Sequence, residues 1–271
     1  ALVCDTAMWS QTTPSVTTSL RGLVYEDVKV TAADRDLHSG LFGGAAQNPR
    51  RVLSQILGAM HDKSGKVTIP GFYNGVKELP KDVKAELKRL KLTPKEFLGG
   101  VGLKVPAGEK NRMLLEQIST RPPAEINGMI GGYTGEGAKT VLPAQATAKV
   151  SFRLVGDQNP KKIQDAFRKF VRARLPKDAK VEFTKFGLAP AIQLPFDNAA
   201  LKKARAALTE VGVHAVLRDA FAGAAKEYGL NEREFPVEAL VAMTMTFGQG
   251  FALERLEGID DGHGELLDWI D

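Results

Sequence analysis

Residues 22–31 alternate in the manner of a β-strand, and the chain then changes period. Asn48-Pro49 opens a helix expected from Arg50 to about Asp62, with Val52, Leu53, Ile56, Leu57 and Met60 at helical spacing. A chain that switches between a period of two and a period of 3.6 is limited to mixed folds. Residues 66–110, rich in Lys, Pro and Gly, read as an inserted excursion with one charged helix near Lys81 to Leu90. After it come a short helix near Arg112 to Ile118, strands near Ala124 to Gly131 and Ala144 to Leu154, a helix from Pro160 to about Arg174, and a strand at Lys180 to Phe186. The order β-α-(insert)-β-β-α-β predicts an antiparallel sheet with helices packed on one face, a two-layer α+β sandwich.

The 271 residues are 43% hydrophobic, enough to bury one large core or two smaller ones. No apolar run approaches the roughly 20 residues of a membrane helix. The single cysteine, Cys4, forms no internal disulfide, and no signal-peptide pattern is present, so the expected compartment is the cytoplasm. The opening Ala-Leu-Val-Cys-Asp, without an initiator Met, reads as the inside of a buried strand and the chain as a fragment. The charge is uneven. Residues 1–211 hold 33 Lys and Arg against 20 Asp and Glu, a net +13, whereas residues 212–271 hold 4 against 12, a net −8. The basic excess is spread along helices such as 81–91 and 161–174 without interleaved stacking aromatics, which reads as solvated helix faces and predicts no nucleic-acid partner.

The stretch Asp36-Leu37-His38-Ser39-Gly40-Leu41-Phe42-Gly43-Gly44 carries the chemistry. A histidine followed by small residues and a glycine pair allows a sharp turn and leaves the imidazole on a loop. Its ordinary reading is a solvated or hydrogen-bonded side chain, because no second histidine stands at metal-ligand spacing. Asp5, ending the apolar run Ala1-Leu2-Val3-Cys4, reads on its own as a turn cap. Arg153, between Phe152 and Leu154, reads as an exposed strand residue. Thr140 and Asn127 read as hairpin chemistry. The run from Gly132 to Thr140 nearly spells a phosphate-binding loop, but an extra Ala precedes Lys139, and Pro143 and a strand follow where a helix would have to begin.

Taken in order, Asp5, Pro14, Leu20-Arg21-Gly22-Leu23, Asp36-Leu37-His38-Ser39-Gly40, Gly137-Ala138-Lys139-Thr140-Val141-Leu142-Pro143 and Ser151-Phe152-Arg153-Leu154-Val155 resemble the dizinc metallopeptidases typified by carnosine dipeptidase, succinyl-diaminopimelate desuccinylase and acetylornithine deacetylase. The resemblance runs from about residue 1 to 211. It implies a lid and dimerisation domain at 22–188 between remnants of an α/β zinc-peptidase domain at 1–21 and 189–211. It also implies a zinc ligand at Asp5 and an oxyanion donor at His38 that reaches the partner subunit's site. The resemblance further implies substrate contacts at Arg153, Thr140 and Asn127, with Thr140 and Arg153 thirteen residues apart across an expected hairpin. It implies an isologous homodimer through an edge strand and the helix after Asn48. The implied substrates are small peptides or N-acyl amino acids. Of the two-zinc ligand set and the Glu-Glu general base that the resemblance implies, only Asp5 is present, so this chain is expected to be catalytically incomplete alone.

Near residue 211 the pattern stops. Residues 212–271 read as an all-helical tail with helices at 215–228 and 237–256. From Phe235 onward the tail resembles the effector-binding end of tetracycline-repressor-type regulators. That leaves an alternative: a noncatalytic dimerising or ligand-binding protein that uses its tail.

Overall fold

The structure is a computed structural model that describes residues 9, 15–195 and 197–210. Asp5, and the tail with its expected helices and regulator likeness, lie outside the described residues. The chain divides into two compact units, Ser19–Gln193 and the flanking segments Ala1–Thr18 with Leu194–Asp271. In chain order the first unit contains β1 (Ser19–Leu20), β2 (Gly22–Thr31), β3 (Leu37–His38), α1 (Ser39–Phe42), α2 (Pro49–Gly58), α3 (Lys81–Arg89), α4 (Pro94–Gly99), α5 (Leu114–Ser119), β4 (Ala124–Gly131), β5 (Val141–Leu142), β6 (Gln145–Leu154), α6 (Pro160–Arg172), β7 (Lys180–Ala189) and β8 (Ile192–Gln193). In the second unit α7 (Ala199–Glu210) begins where Asn198 Oδ1 accepts from Ala200 N at 2.9 Å.

The principal sheet has the order β4-β6-β2-β7 and is antiparallel throughout. Residues 22–31 make its central strand because their alternation fits a sheet with one covered face. Val24, Val28 and Val30 of β2 and Ala146, Ala148, Val150, Phe152 and Leu154 of β6 point into the core. There they meet Val52, Leu53, Ile56 and Leu57 of α2 and Ile163, Phe167, Phe170 and Val171 of α6. Fully burying one such side chain contributes about 1.5–3 kcal/mol. Phe72, Phe152, Phe167 and Phe183 form a chain of edge-to-face rings with centroids 5.6, 5.0 and 6.4 Å apart. Both packing helices start alike: Asn48 caps Arg50 N and Arg51 N ahead of Pro49, and Asn159 caps Lys162 N ahead of Pro160. The other face is polar, with Asp27 paired to Lys149 at 2.9 Å and Tyr25 edge-on to Phe186.

Three local expectations need correction. The helix after Asn48 ends at Gly58, four residues before Asp62, because Met60 N turns back onto Leu57 O and Thr68 N binds Met60 O. Met60 is buried, but in a turn. The excursion holds a second helix, α4, whose Thr93 and Glu96 form a reciprocal capping box. It is also no detached insert. Val67, Ile69 and Phe72 join the main core, and Arg112 and Arg121 reach Glu78, Glu109 and Glu116.

Candidate functional site

The two motifs that stand about a hundred residues apart in sequence meet at one end of the sheet. Leu37 and His38 pair antiparallel with Leu142 and Val141, and Ser39 N donates to Thr140 O at 3.0 Å. Asp36 closes the junction, because its Oδ1 accepts from Ala144 N at 2.8 Å. The loop containing Thr140 is thereby fixed to the turn containing His38 by both backbone and side chain.

The imidazole itself is oriented. His38 sits at the start of α1, and its Nδ1 accepts from Gly40 N at 3.0 Å. That contact leaves the proton on Nε2, whose neighbour is Thr140 Oγ1 at 3.3 Å. Glycine at 40 is required by this arrangement, since a Cβ there would meet His38 Cε1 at 2.7 Å. The ring is exposed. Chemically, the arrangement is an N–H donor beside a hydroxyl, able to stabilise negative charge on an approaching oxygen.

Arg153 stands elsewhere. In the β2–β6 pair Gln145 is opposite Thr31 and Arg153 opposite Leu23, so eight residues of strand separate the two ends, about 27 Å. No hairpin joins Thr140 to Arg153, contrary to the expectation: β5 pairs with β3, and Arg153 stands near the far end of β6. Asn127 is the extra residue of a bulge in edge strand β4, where the register steps from Ile126/Val150 to Gly128/Lys149. It is exposed and lies partway along the sheet from Arg153.

Sequence reasoning passed over Arg21. It was read only as part of the Leu-Arg-Gly-Leu motif, yet it lies beside Arg153 closely enough for the two charges to repel. Partial burial and that neighbour together hold the Arg21 guanidinium below its ordinary value. No signal in the sequence pairs them: residues 21, 23 and 153 share a sheet face only through the strand register.

Among the described residues no three His, Cys, Asp or Glu side chains come together as a metal site needs. They do not fit zinc, and Asp5, the one expected ligand, lies outside them. No described helix is long and apolar enough to cross a membrane.

Comparison with known proteins decides the family. The peptidase dimerisation domain family matches residues 18–179, more than half of the chain. The chain belongs to this family. A Cys-Gly metallodipeptidase of Saccharomyces cerevisiae is 33% identical over 161 residues, which is 59% of this chain and 34% of that protein. A human beta-Ala-His dipeptidase is 31% identical over 158 residues, covering 58% of this chain and 31% of that protein. Human carnosine dipeptidase 1 superposes with a TM-score of 0.63 at 25% identity, over 77% of this chain and 44% of the other. The chain therefore spans about a third of the length of these curated relatives. The resemblance read from the motifs is confirmed for the dimerisation domain. The family match ends at residue 179 and does not reach the tail.

Proposed function

We propose that this chain is the lid and dimerisation part of a zinc-dependent peptidase-family hydrolase acting on small amides that end in a carboxylate, dipeptides or N-acyl amino acids. Each site is shared between two copies. The observation that carries the reading is the separation of the candidate residues. His38 and Thr140 form one oriented group next to the Gln145 end of β6, and Arg153 stands near the other end of that strand, about 27 Å from Gln145, too far for a dipeptide held by both within one chain. Two copies solve this, one presenting His38 Nε2–H to the oxygen of an attacked amide and the other presenting Arg153 to the substrate carboxylate. Asp5 is proposed as a former metal ligand, and Asn127 as a lesser substrate contact.

Edge strand β4 supports the twofold contact. Among the described residues no strand pairs with its outer side, it exposes Ile126, Met129 and Ile130, and α2 lies over the neighbouring β6. By this reading the chain alone does not hydrolyse such amides, because most of the expected metal ligands and the general base are missing from its sequence. Fusing a metal-binding half from a relative on either side of residues 19–193 should restore zinc-dependent hydrolysis. In that fusion His38→Ala should lower turnover roughly a hundredfold, and Arg153→Ala should weaken substrate binding by about 1.5–3 kcal/mol. A fusion unaffected by either change would overturn the assignment.

A further inference from the structure

Like-charged guanidiniums brought close together are an electrostatic conflict, and such conflicts concentrate at binding sites. The start of β2 carries one. Arg153 is opposite Leu23 in the β2–β6 register, and Arg21 lies two residues before Leu23, so the two arginines are diagonal neighbours on the polar sheet face. Both are exposed. Among the described residues neither has an acid within ion-pair distance. The surrounding acids are committed or turned away: Glu26 faces the helices and binds Arg168, Asp27 pairs with Lys149, and Asp157 pairs with Lys77. Glu125, opposite Ser151 on β4, is the nearest acid by register and forms no ion pair with either arginine.

The position of Arg21 is held by the backbone. A Cβ at Gly22 would meet Ala189 O at 2.5 Å and Ala191 N at 2.6 Å, so the chain passes its neighbour with no room for a side chain at 22. The β1–β8 pair, Leu20 with Ile192, fixes the other side. Arg21 is thus pinned between two paired segments.

We propose that Arg21 is a second cation of the Arg153 seat, and that the pair selects ligands ending in two carboxylates, such as an acyl or peptidyl glutamate, over ligands ending in one. One carboxylate occupies one guanidinium fork, and the second fork stays unneutralised until a second carboxylate arrives. The repulsion between the two guanidiniums is offset by the same event. This inference rests on the reading of Arg153 as the carboxylate holder.

The test uses the full chain and two near-isosteric probes, N-acetyl-glutamate with two carboxylates and N-acetyl-glutamine with one, titrated at low salt with the arginine Nε–H resonances as readout. The dicarboxylate should bind about tenfold more tightly, the order of one charge-assisted contact. Arg21→Gln should remove that preference by weakening N-acetyl-glutamate far more than N-acetyl-glutamine, Arg21→Lys should keep part of it, and Arg153→Gln should weaken both probes. If Arg21→Gln keeps the preference while Arg153→Gln weakens both, the role of Arg21 is overturned and the carboxylate reading stands. If Arg153→Gln changes nothing, or neither probe binds, both are overturned. Thermal unfolding of each variant checks that the exposed substitutions leave the fold intact.

Discussion

Replacing Arg168 by methionine should come close to unfolding the sandwich, although the residue lies far from His38 in sequence and touches none of the candidate site. Glu26 stands on the helix-facing side of β2 at 0% exposure, surrounded by valines. Its carboxylate accepts from Gln164 Nε2 at 2.5 Å and from Arg168 Nε at 3.0 Å, with a further contact from Arg168 Nη2. Arg168→Met keeps most of the stem volume and deletes the cation, leaving a buried charge with one amide donor. Removing one partner of such a pair costs about 3–5 kcal/mol, against a total stability of about 5–15 kcal/mol for a domain. The triple change Glu26→Leu, Arg168→Met and Gln164→Leu removes both charges and the amide that donates to Glu26, and should recover most of that loss. Urea unfolding of the original and the two variants measures this directly. If Arg168→Met alone costs less than about 1 kcal/mol, the range of solvent-exposed pairs, the carboxylate is not isolated from water and the reasoning is wrong.

Other consequences follow from particular contacts. Gly40→Ala should displace the imidazole and break the Gly40 N to His38 Nδ1 bond, changing the His38 ring nitrogen resonances while overall stability moves by only about 1 kcal/mol. Burial presses the Glu116 carboxyl upward, but the Met113 N–H, Lys84 and Arg112 outweigh it and hold the group below its ordinary value. Hydrogen bonds from Arg112 do the same for Glu78. Because these folded values are depressed, the stability they contribute is complete above the unfolded carboxylate value of about 4.3 and is lost as pH falls through the folded values. The urea midpoint should therefore drop as pH falls below about 4.3, less steeply in Glu116→Gln, and an unchanged slope in that variant would refute the role of this cluster. Sedimentation should find a dimer at micromolar concentration, and a charge placed at Ile130 on the β4 edge should shift it to monomer; a wild-type monomer would remove the reason for sharing a site.

The layers were legible because each rests on local chemistry. The alternation of residues 22–31 and the Asn-Pro starts at 48–49 and 159–160 need no long-range information. Thr93 and Glu96 were equally readable as a capping box, but the Lys, Pro and Gly content around them drew the eye to a loop. Met60 misled in the opposite direction, since its helical spacing is satisfied by burial in a turn. The site was legible as a set of motifs and not as a geometry. That Thr140 belongs with His38 and Arg153 with Arg21 depends on strand register, which is fixed by the packing of one sheet face and leaves no mark on residue identity at 21, 140 or 153.

The central claim is that one site takes His38 from one copy and Arg153 from another. Distances between spin labels test it most directly, with Cys4 replaced and one chain labelled at Leu41→Cys beside His38 and the other at Leu20→Cys beside the arginine pair, both exposed positions. In a one-to-one mixture the two labels on different chains should lie closer together than the same two labels placed on a single chain diluted with unlabelled protein. A cross-chain distance equal to or longer than the single-chain one, or no dipolar coupling between chains, would contradict the account.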